Sequence, residues 1–252
     1  MPRFFVSAEQ IENEFVKIVG DDAFHISRAL RMAAGEHITV CTPDGTEYDC
    51  VLEVFAPDNV SARIKSRRKS ETEPPFEAYV YQGLPTGDKL ETVIQKAVEC
   101  GAVELTPFES EFCVAKSKPE AEEKRTERRQ RIALEAAKQS GRGALPTVNV
   151  TVSFDEMLKR ASKADFVLFC YEGQDTLPIG RAIKGIENFE NEKGRRPKIA
   201  IVVGSEGGFS EKEARMAAEA GFVMCGLGKR ILRTETAAMF ALSCLVCATE
   251  LS

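Results

Sequence analysis

Hydrophobic and polar positions follow two different rhythms along the chain. Over the first seventy residues short β-like runs (Arg3 to Ser7, His37 to Thr42, Tyr48 to Phe55, Val60 to Ile64) alternate with turn signals such as Pro43-Asp44-Gly45 and Pro57-Asp58-Asn59. One helix, Asp21 to Met32, is expected among them. The pattern predicts a small β-barrel-like module over residues 1–72, because the doubled proline Pro74-Pro75 stops regular structure just beyond.

From residue 73 to 252 the rhythm becomes strand, helix, strand, the signature of a parallel sheet covered by helices. Ala78 to Gln82 reads as a strand. Leu90, Val93, Ile94, Ala97 and Val98 then recur at helical spacing up to a stop at Gly101, and Val103 to Phe108 follows as a strand. A basic helix is expected from about Pro119 to Ser140, ended by Gly141-Arg142-Gly143. Ser153 with Glu156, and Ser210 with Glu213, have the spacing of capping boxes. Phe166 to Tyr171 and Ile199 to Val203 are unbroken apolar runs, as strands buried on both faces require. The polar stretch from Glu187 to Arg196 reads as a loop, Phe222 to Leu227 as the last strand, and Thr234 to Leu251 as an apolar helix.

Composition narrows the choice of partner. The 252 residues carry 34 Lys and Arg against 39 Asp and Glu, a net charge of −5, with 43% apolar residues and no Trp. Disorder, a collagen-like chain and a coiled-coil rod are excluded. No run approaches the ~18 apolar residues of a membrane span, and acidic residues interrupt the start before a signal sequence could form, so a soluble, cytoplasmic protein is expected. The eight cysteines lie mostly in apolar segments and are expected to be buried free thiols. His25 and His37 are too few and too scattered for a catalytic triad. Cys244 and Cys247 sit in an apolar helix with no second pair at ligand spacing, so no metal is expected. The acidic total hides two basic stretches. Residues 61–70 hold five basic and no acidic residues, and residues 116–142 hold nine basic against five acidic, which brings a polyanionic partner into view.

Two loops carry candidate chemistry. Gly204, Glu206, Gly207 and Gly208 lie in a glycine-rich turn, Val203 to Ser210, between a buried strand and a capped helix, where backbone can approach a ligand closely. Its spacing is neither a dinucleotide fingerprint nor a phosphate-binding loop. The second loop, Leu227 to Ala237, packs Lys229, Arg230 and Arg233 with Thr234 and Thr236 around an inserted Ile231-Leu232 pair, which suggests a backbone folded around a ligand.

These segments, GSEGGFSEKE and LGKRILRTETA, together with GDKLETVIQKAVECGAVELTPF and ALEAAKQSGR, resemble the bacterial ribosomal RNA small subunit methyltransferase E family, of the SPOUT class. The resemblance extends to the first domain through His25, Arg28, Leu30, Arg31, Met32 and Gly35, similar to the family's PUA-like RNA-binding module. It implies an α/β fold with a trefoil knot, a homodimer, and methylation by S-adenosylmethionine of N3 of a uridine in 16S ribosomal RNA, without a metal. By the same resemblance Gly204, Glu206, Gly207 and Gly208 would form one wall of the cofactor pocket. Leu227, Gly228, Ile231 and Leu232 would form the adenine side, Tyr171 a third wall, and Thr236 a further cofactor contact. Arg233 would face the charge that develops on the uracil oxygens, with Glu206 or Glu235 as proton acceptor. Arg28, Arg31, Arg67, Arg68, Arg128, Arg129 and Arg142 are the proposed phosphate contacts. Ser205 stands where the family usually has proline, Thr86 where a basic residue is common, and Phe112 where arginine is common. Two alternatives stay open: an inactive RNA-binding protein of the same fold, and a SPOUT methyltransferase acting at another RNA position.

Overall fold

A computed structural model describes residues 1–117, 119–173 and 175–251. The chain divides into two compact units, one of Met1–Glu73 with Ala137–Leu145, the other of Pro74–Ala136 with Pro146–Ser252.

The first unit is a six-stranded sheet in the order Arg3–Phe5, His37–Cys41, Thr46–Phe55, Asn59–Lys69, Phe15–Val19, Ile11–Glu12. The first pair is parallel and the others are antiparallel. Alternate residues face inward, and Phe4, Val16, Ile18, Ile38, Val40 and Leu52 form the core. Lys65 to Lys69 all face solvent. The helix expected at Asp21 to Met32 is shorter and irregular: an α-turn over Gly20–Phe24 widens into a π-turn over His25–Ala29. Leu30 N donates to His25 O, and the turn closes at Arg31 with φ +53°.

The segment Ala137–Leu145 joins this unit through Glu73. The Arg142 guanidinium gives two hydrogen bonds to the Glu73 carboxylate at 2.9 and 2.7 Å, and the Gly143 and Ala144 amides add two more. Burial opposes the charge on Glu73, but Arg142 and the two amides outweigh it and hold the carboxyl below its usual range. Gly143 is required where it stands, since a Cβ there would lie 2.0 Å from Ser70 Oγ.

The second unit is a parallel sheet in the order Val152–Ser153, Ala102–Glu109, Glu77–Gly83, Lys198–Val203, Phe166–Cys170, Val223–Gly226, Leu177–Pro178. Its central strands are buried on both faces, as the unbroken apolar runs require. The helix Lys89–Glu99 buries the five expected apolar positions, and Gly101 follows it with φ +93°. The basic helix spans Pro119–Ser140. Ser210 and Glu213 form a reciprocal capping box ahead of Glu211–Glu219. Ser153 caps Phe154–Ala161 by accepting from Glu156 N, while the Glu156 carboxylate pairs with Arg160 instead of closing a box.

The polar stretch read as a loop contains a helix, Ile186–Lys193. Phe189 anchors it edge-on against Phe166, with ring centroids 5.6 Å apart, and Arg195 lies over the Phe189 ring while pairing with Asp165. One aromatic anchor and one ion pair, both long-range, supply what the local pattern lacks. The last helix is Thr234–Thr249, packed against Lys89–Glu99 and the central strands. All eight cysteines are free, but burial is less general than expected: Cys41, Cys50, Cys113 and Cys225 are buried and Cys247 is exposed.

Candidate functional site

Three neighbouring strands, Lys198–Val203, Phe166–Cys170 and Val223–Gly226, run parallel, so the loops that follow them emerge side by side at the carboxyl edge of the sheet. Open α/β sheets bind ligands at this edge. Between the loops lies a cavity of about 870 Å³, lined by Tyr171 to Gly173, by Gly204 to Phe209 and by Leu227 to Glu235. Among the described residues no group of three His, Cys, Asp or Glu could hold a metal, and no helix is long and apolar enough to cross a membrane.

The first wall is shaped by the glycines. Gly208 adopts φ +67° and its amide donates to Ser205 O, which folds the turn back on itself. A Cβ on Gly204 would lie 2.9 Å from Gly208 Cα, and one on Gly83, at the end of Glu77–Gly83, would lie 2.5 Å from Ser205 N. Phe209 fixes the outgoing end of the turn among Phe108, Phe154 and Phe169.

A buried polar junction ties this wall to the C-terminal helix. Thr234 Oγ1 donates to Gly204 O at 2.6 Å, and Gln82 Nε2 donates to Thr234 Oγ1 at 2.7 Å and to Gly204 O at 3.1 Å. Gln82 is fully buried, so these bonds replace water it cannot reach. They set the start of the helix at Thr234 and thereby place Arg233, its N-cap residue, at the cavity.

Glu206 is held from across the loop. Its Oε1 accepts from Lys89 Nζ at 2.5 Å, Thr86 Oγ1 at 2.7 Å and Thr86 N at 3.0 Å. Burial pushes its carboxyl up, but these bonds win and bring it down to about 2. A carboxylate so committed has no affinity for a proton at neutral pH, which removes Glu206 from the role of base. Glu235 is placed differently: it lines the cavity with Oε2 buried and without a hydrogen-bond partner among the described residues. Ser205 Oγ, on the same cavity, is likewise unpartnered.

The second wall carries cations. Lys229, Arg230 and Arg233 are exposed and form no ion pair among the described residues. Ile231 lines the cavity with its side chain 84% exposed, while Leu227 and Leu232 are half-buried. Thr236 does not line the cavity. It sits in the first helical turn, its amide bonded to Arg233 O, and Thr234 takes the place at the wall.

The proposed phosphate contacts separate into two groups. Arg28, Arg31 and Arg67 are exposed and without an ion pair among the described residues. Arg68 and Arg128 are exposed but engaged with Glu47 and Glu91. Arg129 and Arg142 are corrected outright: Arg129 is 8% exposed on Glu122 and Arg142 is 3% exposed on Glu73, so neither reaches a phosphate without stranding a buried carboxylate. Lys89 and Gln82 are site residues that the sequence pattern does not single out, while Thr234 stands in the second loop and Thr86 among the departures from the family. Lys89 stands in the GDKLE segment, the one local signal that could have pointed to it.

Comparison with known proteins adds an independent finding. Residues 72–246 match the model of an RNA methyltransferase domain and residues 18–65 that of an RNA methyltransferase PUA domain. The chain is 37% identical over its full length to a Bacillus subtilis protein named ribosomal RNA small subunit methyltransferase E, covering 98% of it. It is 30% identical, over 96% of this chain and 98% of the relative, to a Mesomycoplasma hyopneumoniae protein of the same name. A crystal structure of such an enzyme from Neisseria gonorrhoeae bound to S-adenosyl methionine superimposes with a TM-score of 0.82 at 28% identity, covering 99% of this chain and 98% of that one.

Proposed function

Because the chain belongs to the RNA methyltransferase family, we propose that it transfers a methyl group from S-adenosylmethionine to N3 of a uridine in 16S ribosomal RNA of the small subunit. Full-length kinship with small-subunit enzymes supports the substrate, and the glycine and Arg233 loops support the reaction. The observation that carries the reading is the 870 Å³ cavity at the ends of three parallel strands, with one wall of backbone and one of unpaired cations.

The residues present fit the donor. The two unpartnered buried oxygens, Ser205 Oγ and Glu235 Oε2, want donors of the kind an ammonium and ribose hydroxyls provide. Leu227 and Leu232 offer apolar surface to a purine, and Glu206 with its clamp keeps the opposing glycine turn in place. S-adenosylmethionine supplies an electrophilic methyl group. This chain's task is to orient the uracil and handle its N3 proton. Removing that proton spreads negative charge onto the flanking carbonyl oxygens, where an exposed guanidinium such as Arg233 stabilises it; such donors contribute about 2.7–4 kcal/mol. Glu235 is the carboxylate left to receive the proton once Glu206 is committed. Positioning of base against donor can supply up to about 7–11 kcal/mol more.

Residues 1–72 serve as the RNA-gripping module, with Ala137–Leu145 packed into the same compact unit, and the rest of residues 73–252 as the methyltransferase domain. The return of the C-terminal helix from the strand Val223–Gly226 to the strands Lys198–Val203 and Glu77–Gly83 supports the trefoil path. Half-buried Met239, Phe240 and Val246 on that helix support a homodimer, and the substrate supports a cytoplasmic location. Calorimetry with S-adenosylmethionine, followed by mass mapping of 16S ribosomal RNA from cells with and without the protein, tests the reading. Binding and loss of one methyluridine are expected. Absent binding favours the inactive RNA-binding alternative, and a methyl group lost elsewhere favours another position.

A further inference from the structure

Phe24 is the most exposed aromatic residue among those described, at 66%, and it lies in the first unit. Its position is not a packing failure, because its neighbours are well anchored. The His25 ring meets Phe4 edge-on with centroids 6.4 Å apart, and Ile26 is fully buried. The helical segment is thus pinned from inside while the Phe24 ring is left to solvent.

The backbone around it is unusual in two ways. The helix widens into a π-turn over His25–Ala29, a distortion frequent at functional sites. It then closes with Met32 N donating to Ile26 O and with Arg31 in the left-handed region, where glycine or asparagine would be less strained. A side chain retained at such a position invites a use. Arg28 lies four residues after Phe24, one helical turn on and on the same side. Arg28 and Arg31 are exposed and have no ion pair among the described residues. Asp22, in the preceding turn, is engaged by Lys138 at 2.9 Å.

An exposed flat apolar ring in the same short helical segment as two exposed guanidinium groups without ion pairs among the described residues has the chemistry of a nucleotide receptor. The ring offers its face to a base, and the cations meet the phosphates on either side. Bases within a duplex have no free face, so the ligand is unpaired RNA. We propose that Phe24 stacks on an unpaired base of the RNA substrate while Arg28 and Arg31 hold its flanking phosphates, an inference that rests on the RNA methyltransferase reading and locates its RNA grip on one turn.

The test uses the full chain and two fluorescein-labelled RNAs of one mixed sequence, single-stranded and as duplex, with affinity measured across a salt series. Phe24→Ala and Phe24→Leu are each expected to weaken single-strand binding about tenfold, as loss of one stacked base does. The salt slope should stay unchanged because no phosphate contact is lost, and the duplex should bind both variants like the wild type. Phe24→Trp should restore affinity. Charge reversal at Arg28 and Arg31 should instead flatten the salt slope. Phe24→Leu binding single strands as well as the wild type overturns the stacking, since apolar area without a ring would then suffice. A change in sedimentation of Phe24→Ala with unaltered RNA affinity overturns it in favour of a contact between copies of the chain. Failure of the wild type to bind either RNA overturns both the inference and the function it rests on, whereas insensitivity to Phe24 alone leaves that function standing.

Discussion

The turn at residues 204–210 and the loop at residues 227–233 leave strands that flank the same neighbour, yet they are held in opposite ways. The first is bonded at nearly every step: Gly204 O to Thr234 and Gln82, Ser205 O to Gly208 N, and Glu206 to Lys89 and Thr86. The second offers three cations and an exposed isoleucine to solvent. A wall whose backbone is already fixed costs little to reorganise on binding, which suits it to the donor present in every turnover. A wall of unpaired cations keeps its charges for an anionic substrate.

The division of labour can be broken at its most sensitive point by Arg233→Ala. Turnover should fall about 10²–10³-fold, corresponding to one lost oxyanion donor, while cofactor affinity by calorimetry stays within a few fold. A parallel loss of cofactor binding would mean that the second wall also serves the donor.

Next in size is Gly204→Ala. The added Cβ would press on Gly208 Cα, so thermal unfolding should show a loss of about 1–3 kcal/mol, and cofactor affinity should fall with it. Retained affinity would show that the turn is less fixed than its bonds suggest.

The clamp gives a pH test. A depressed carboxyl contributes binding and stability above its unfolded value, near 4.5, and loses that contribution only as pH falls through its folded value, near 2. Wild-type cofactor binding should therefore be flat from pH 7 down to pH 4, as far as Glu206 is concerned. Lys89→Met removes the strongest partner and should bring a few-fold loss into the range around pH 4–5, read by calorimetry across that range.

The smallest effect is expected from Ile231→Ser. At 84% exposure the side chain packs on little, and the midpoint of thermal unfolding should move by no more than about 0.5 kcal/mol equivalent. A larger change in RNA affinity than in stability would assign Ile231 to the substrate side.

What could be read from the sequence was whatever a local pattern determines. The single apolar face of Lys89–Glu99, the glycine behind it and the apolar strands Phe166–Cys170 and Lys198–Val203 are set by spacing and composition over a dozen residues. Both glycine-bearing loops were visible, since glycine marks turns wherever it falls. What escaped depends on partners far along the chain. Arg129 and Arg142 looked like surface cations because nothing local announces Glu122 across two helical turns or Glu73 at a separation of 69 residues. The helix Ile186–Lys193 exists by virtue of Phe166, and the π-turn at His25–Ala29 by virtue of the core beneath it. At the site, Glu206 was noticed for its motif, but its pinning by Lys89 and Thr86 spans 117 and 120 residues and no motif encodes it.

The bond between Gln82 and Thr234 joins groups 152 positions apart. A ribosome releasing this chain has exposed the strand Glu77–Gly83 and the glycine turn before Thr234 emerges, and until then the junction lacks the two bonds made by Thr234 Oγ1. Contacts so remote form late and slowly. Catalytic competence should consequently arrive in one step at the end of maturation, leaving no partly built enzyme able to modify RNA while its own translation is still under way.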